Sequence, residues 1–212
     1  MIDIAHQIGA IDRSVSLQTV EDGSQTVSVL ARRTYTSDPA DLWDALTNPE
    51  RIPRWFLPIS GELREGGTFQ LEGNAGGRIL ECSPPSRLKV TFGGDTSIVE
   101  LRLTAGEPGR TSLELEHTVP LAMAQSGAGA LWVGPGWDGM FLALSLFMDG
   151  NVSEDPAAAA LSPEALAFSE RSVRVWAETV QESGTAKPEE LAEALAVSLA
   201  QFAPGTSDPA AS

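Results

Sequence analysis

Gly134-Pro-Gly-Trp-Asp-Gly-Met-Phe-Leu-Ala-Leu-Ser-Leu-Phe-Met-Asp-Gly150 is the stretch around which the chain is arranged. Its glycine and proline stops predict one helix, from about Gly136 to Asp149. Trp137, Phe141, Leu144 and Met148 recur at helical spacing and share a face, while Met140, Leu142, Leu146 and Phe147 make the other faces apolar too. A helix apolar all round is buried all round or lies in a membrane. Ten or so apolar residues fall short of the roughly 20 that span a bilayer. The expectation is therefore no membrane insertion, and a central helix covered by a sheet on one side and a second layer on the other.

The segment before this helix supplies the sheet. Thr68–Glu72, Arg78–Cys82, Arg87–Phe92, Ile98–Thr104 and Thr111–Thr118 are short alternating runs separated by Gly/Pro turns, which predicts an antiparallel meander with one polar face. Leu113, Leu115 and His117 fall on one side of the last run and Ser112, Glu114 and Glu116 on the other. Glu100 and Arg102 fall on the wet face of the run before it, whereas alternation does not settle which way Glu81 points. Further upstream, Ile11–Val20 and Thr26–Thr36 flank Glu21-Asp-Gly-Ser24 and read as a β-hairpin. Ser37-Asp38-Pro39 opens a helix that buries Leu42, Trp43, Ala45 and Leu46 and stops at Asn48-Pro49; Glu50–Phe56 forms a second short helical piece.

Downstream, residues 150–161 read as a polar linker. Ser162-Pro163-Glu164 opens a helix to about Ser183 and Pro188 opens another, whose Leu191, Leu195, Leu199 and Phe202 share a face. These two helices are candidates to cover the central helix or to make a homodimer contact. The domain reading is 1–150 for the sheet and its helices, 151–202 for an appended helical pair, and a disordered tail over 203–212.

Charge and cysteine content narrow the functional classes. Lys and Arg number 14 against 29 Asp and Glu, a net charge of −15. That balance argues against nucleic acid as a partner, since phosphate contacts need clustered cations. Cys82 is the single cysteine, which rules out an internal disulfide or a thiolate metal cluster. Residues 1–25 carry Asp3, His6, Asp12 and Arg13 and no continuous apolar run, so no signal peptide and a cytoplasmic protein are expected. Two distant histidines make no metal site, and no cofactor is expected.

Asp41-Leu-Trp-Asp-Ala-Leu-Thr-Asn-Pro-Glu-Arg-Ile-Pro-Arg-Trp-Phe56 closely resembles the SRPBCC (START-like) superfamily, and within it the branch named after the activator of the heat-shock-ninety ATPase. Gly66-Gly-Thr-Phe69, Gly77-Arg-Ile-Leu-Glu81, Pro84-Pro-Ser-Arg-Leu88, Leu113-Glu-Leu-Glu-His117 and Gly134-Pro-Gly-Trp-Asp138 agree, in order, over about residues 25–150. The resemblance implies an α+β helix-grip fold, an antiparallel β-sheet wrapped around a long C-terminal helix, here with two extra C-terminal helices. It also implies an apolar cavity between sheet and helix that other members use for lipids, polyketides or hormones, some as cyclases. The eukaryotic activator carries a further N-terminal domain that this sequence lacks, so a chaperone contact does not follow from the likeness.

Within that fold the candidate ligand-binding residues are Trp55, Phe69, Leu71, Phe92, Val99, Leu101, His117, Trp137 and Phe141. Each has a plainer reading as core. His117 is either an acid/base or polar anchor facing the cavity, or a core histidine hydrogen-bonded to a neighbour. Asp138 near the helix start is explained by the helix dipole before catalysis. Cys82 lacks a basic neighbour that would make it a thiolate. Binding of a small apolar or aromatic molecule is the first functional expectation. A cyclase- or hydrolase-type enzyme using His117, and a module contacting a chaperone or regulator, are the alternatives.

Overall fold

In the structure, a computed structural model describing residues 2–20 and 22–205, a short helix α1 (Ile4–Gly9) leads into the hairpin of β1 (Asp12–Thr19) and β2 (Gln25–Tyr35). Glu21, between them in sequence, lies outside the described residues. Helix α2 (Pro39–Thr47) and a 3-10 turn (Ile52–Arg54) follow as the Pro39 start and Asn48-Pro49 stop require. The meander comprises β3 (Ile59–Gly61), β4 (Thr68–Leu71), β5 (Gly76–Ser83), β6 (Arg87–Thr91), β7 (Ile98–Ala105) and β8 (Thr111–Pro120). All eight strands form one sheet in the order β1-β2-β8-β7-β6-β5-β4-β3. Every pairing is antiparallel, and β8 returns beside β2 to close the hairpin onto the meander.

The fold is α+β, as the order of elements implied. β3 is an edge strand too short to stand out as a periodic run. A bulge in β5 sets Ile79 opposite Val90 and Glu81 opposite Lys89, so Leu80 is the extra residue. This settles Glu81: its carboxylate meets Arg87 at 3.1 Å on the solvent side, where Arg102 also holds Glu100, Glu114 and Glu116.

After α3 (Leu121–Ala124), a 3-10 helix (Gly127–Trp132) runs almost directly into the central helix α4 (Gly134–Met148). The helical run is thus longer than Gly136–Asp149, because the small residues of Gly127-Ala-Gly-Ala130 hide it from a periodicity reading. At 22 residues, Gly127–Met148 is long and apolar enough to cross a membrane by length and composition alone, but protein covers it here. The sheet packs against one side. A four-residue helix α5 (Pro156–Ala159) and the long helices α6 (Pro163–Ser183) and α7 (Pro188–Phe202) lie on the other. Phe168, Val173, Trp176 and Val180 of α6 are fully or almost fully buried in the same apolar core as Phe141 and Leu144 of α4. Contact is close where α6 crosses the start of α4: a Cβ added at Gly134 would lie 2.6 Å from the Trp176 indole. Of the tail expected to be disordered, Ala203 is buried and its N–H donates to the Leu199 carbonyl at 2.9 Å; residues 206–212 lie outside the described residues.

One polar group holds these layers together. Asp138, read from sequence as a helix-dipole partner, is 0 % exposed and pairs with Arg13 of β1, 4 % exposed, at 2.8 Å. Arg13 Nε donates to the same carboxylate oxygen at 2.9 Å, and the Ser172 hydroxyl of α6 donates to it too. The Arg13 Nη1 group is satisfied by the carbonyls of Ile8 and Ile11. Burial raises the Asp138 pKa, and the Arg13 charge opposes it. Sheet edge, central helix and covering helix therefore meet at a single desolvated ion pair. Replacing one partner leaves the other charged and buried, so Asp138→Asn is expected to cost about 3–5 kcal/mol. The double variant Arg13→Met/Asp138→Leu removes both charges and is expected to recover most of that loss. Urea unfolding of the three proteins measures both effects; equal stability of Asp138→Asn and wild type would contradict this account.

Candidate functional site

The space between sheet and central helix is walled from the helix α2 side by Trp55. Arg51 Nη1 reaches Asp41 and Asp44, each at 2.8 Å, and so ties the chain after α2 back onto it. The Trp55 indole N–H then donates to the Ala45 carbonyl at 3.0 Å, and its ring stacks on Phe56 at 5.4 Å between centroids. The alternation of β4, β6 and β7 brings Phe69, Leu71, Phe92, Val99 and Leu101 to the opposite wall, and α4 contributes Trp137 and Met140. These residues line a cavity of about 160 Å³. Among the described residues that line it, none is charged.

Of the expected ligand-binding residues, Trp55, Phe69, Leu71, Phe92, Val99, Leu101 and Trp137 line this space, whereas His117 and Phe141 do not. Phe141 is fully buried one turn further along α4, its ring 6.5 Å from Tyr35, whose hydroxyl donates to the Phe141 carbonyl. His117 sits behind Trp137. The Trp137 indole N–H donates to His117 Nδ1 at 3.1 Å, which leaves Nε2 as the protonated nitrogen, donating to Ser97 Oγ at 2.8 Å. Both ring nitrogens are thus engaged by protein, and His117 is 4 % exposed. Burial pulls its pKa down to about 4, because a charged imidazole has no counter-ion there. The histidine is a neutral support that fixes the rotamer of Trp137. Phe92 completes the cluster, 5.1 Å from the Trp137 ring and 6.0 Å from His117.

Several lining residues were not among the sequence candidates. Leu115 lies on an inner strand face and Met140 lies one turn before Leu144, so their periodicity could have found them. Cys82 also lines the cavity, but only because the β5 bulge turns it inward, and no local signal marks that. Burial and Glu65 push the Cys82 thiol up, so it is a poor nucleophile. Among the described residues no cluster of His, Cys, Asp or Glu could hold a metal ion.

Residues 36–146 match the family described as Activator of Hsp90 ATPase homolog 1-like protein. No curated protein sequence matches the chain. Among solved structures it is similar to CalU16 from Micromonospora echinospora, in a crystal structure with 38 % identity and a TM-score of 0.64, covering 81 % of this chain and 98 % of that one. It also resembles an Hsp90 activator from Plasmodium falciparum (21 % identity, TM-score 0.50, 59 % of this chain and 97 % of that one). A third likeness is to DynU16, a putative protein in the dynemicin biosynthetic locus (20 % identity, TM-score 0.52, 59 % and 48 %). These last two likenesses are ones of fold alone.

A histidine held neutral in the folded state carries a pH signature. Its pKa is about 4 when folded, against the usual 6.5 unfolded, so the unfolded chain takes up the proton first as pH falls. The stability is complete above pH 6.5 and is lost between there and about 4. Between pH 7 and pH 5 the contribution of His117 to that loss is expected to be about 2 kcal/mol. The test is urea unfolding at both pH values for wild type and His117→Gln, which cannot titrate. An equal pH dependence of the two proteins would refute the neutral support.

Proposed function

Because the chain belongs to the Activator of Hsp90 ATPase homolog 1-like family, we propose that it binds a small apolar or aromatic molecule in the cavity between sheet and central helix. The carrying observation is the lining itself: aromatic walls from Trp55, Phe69, Phe92 and Trp137, aliphatic ones from Val99 and Leu101, and no charged side chain among the described residues. Such a site gains its affinity from removing apolar surface from water. Its volume of about 160 Å³ fits a ligand of about one aromatic ring, since an apolar cavity of about 150 Å³ admits benzene.

The same geometry weighs against acid/base turnover in this cavity. His117, the one titratable residue that sequence placed there, spends both nitrogens on Trp137 and Ser97, and Cys82 is not activated. Binding is therefore preferred to a cyclase or hydrolase reaction. The likeness to the Plasmodium falciparum activator, at 21 % identity, brings no chaperone role with it. A cytoplasmic setting fits the single free thiol.

Native mass spectrometry of the protein isolated gently from its own host tests the reading. A small adduct that disappears on denaturation and is absent from Leu101→Phe, which fills the cavity, is the expected result. An adduct retained in full by Leu101→Phe would place the ligand elsewhere and overturn the assignment.

A further inference from the structure

A second and larger chamber lies on the far side of α4, facing away from the sheet. It measures about 400 Å³, within the range of small-molecule sites, whereas the sheet-side cavity falls below it. The outward face of α4 forms its floor through Gly136, Gly139, Ala143 and Leu146. The roof comes from residues 151–169 and the far wall from Phe202 near the end of α7. The space exists because small residues face it: a Cβ added at Gly139 would meet no atom within 4 Å. The roof is thinly held, since α5 buries none of its residues, and this gives a route in that leaves the core undisturbed.

The electrostatics of the chamber are unlike those of the surface around it. On a chain with 29 acidic residues, none of the described residues lining the chamber is a carboxylate. Arg54 is the one charged residue among them. Its guanidinium lies 5.4 Å over the Phe147 ring, and among the described residues no carboxylate comes within ion-pair distance of it. In the same stretch Arg51, by contrast, is spent on Asp41 and Asp44. A guanidinium without a carboxylate partner, on a residue that lines an apolar space, is matched by a ligand with one anionic group on an apolar body.

We infer that this outer chamber is a binding site for an apolar molecule bearing a single anionic group, its body against Gly139 and Ala143 and its charge at Arg54. The inference does not depend on occupancy of the sheet-side cavity.

Two dyes with one body separate its parts: 1-anilinonaphthalene-8-sulfonate and uncharged N-phenyl-1-naphthylamine. Their three rings are too large for the 160 Å³ cavity, so a saturable site for them reports on the outer chamber. Fluorescence titration of the full chain is expected to show one such site for each dye. Gly139→Leu, whose Cβ would meet no atom within 4 Å, extends into the chamber and is expected to weaken both dyes by about tenfold or more. Arg54→Gln is expected to weaken the sulfonate dye by about threefold, as an exposed ion pair does, and to leave the neutral dye unchanged. Near-ultraviolet circular dichroism verifies that each variant is folded, and Ala143→Leu replaces Gly139→Leu if the latter is not. Leu101→Phe, in the other cavity, is expected to change neither dye. Absence of saturable binding in the wild type, indifference of both dyes to the filling variant, or their loss in Leu101→Phe would overturn the site. An equal effect of Arg54→Gln on both dyes would overturn its anionic part.

Discussion

Arg13 and Asp138 meet where neither reaches water, and the arrangement of the layers depends on that meeting. Hydrophobic burial is non-directional: it would accept the covering helices at many rotations over α4. A buried charge accepts few arrangements, because each of its donors must arrive from a fixed direction. Here β1 supplies the cation, α4 the anion and α6 the Ser172 hydroxyl, so three elements distant in sequence are fixed at one point. The second carboxylate oxygen of Asp138 and the Trp176 indole N–H remain buried without a hydrogen bond of good geometry. That residual cost suits a junction that specifies position more than it adds stability.

The sequence carried the sheet and the central helix clearly, because both obey simple periodicities over several residues. Leu113, Leu115 and His117 alternate as a half-buried strand must, and the structure keeps that alternation in register with β2 and β7. Legibility failed where period and position part company. The extra residue at Leu80 shifts the face assignments of Glu81 and Cys82 relative to Ile79, and one residue is enough to do so. Asp138 failed for a different reason. A carboxylate near a helix start has a sufficient local explanation, and its true partner is 125 residues away in sequence. His117 was legible in its face and, as a core histidine hydrogen-bonded to a neighbour, in one of its two readings; which neighbours hold it, Trp137 and Ser97, is a matter of rotamers that spacing does not encode.

The covering helices change what the central helix can do. In a sheet-and-helix grip alone, the face of α4 bearing Gly139, Ala143 and Leu146 would be wet. With α6 and α7 packed at its start and the 151–161 segment over its middle, that face borders a partly covered apolar space instead. Small residues serve two purposes along α4: at Gly134 they admit the Trp176 ring in close contact, and at Gly139 they leave room. The first is packing and the second is volume, and both occur within two turns of one helix.

Trp55, Phe56 and Met140 border both cavities, so beside α4 their side chains form a wall that the two share. Space can therefore be traded from one compartment to the other by substitutions at three positions, none of which lies in a strand of the sheet. A lineage carrying this fold can drift in the size of its guests by that route, at the cost in stability that replacing a buried side chain such as Trp55 or Met140 carries.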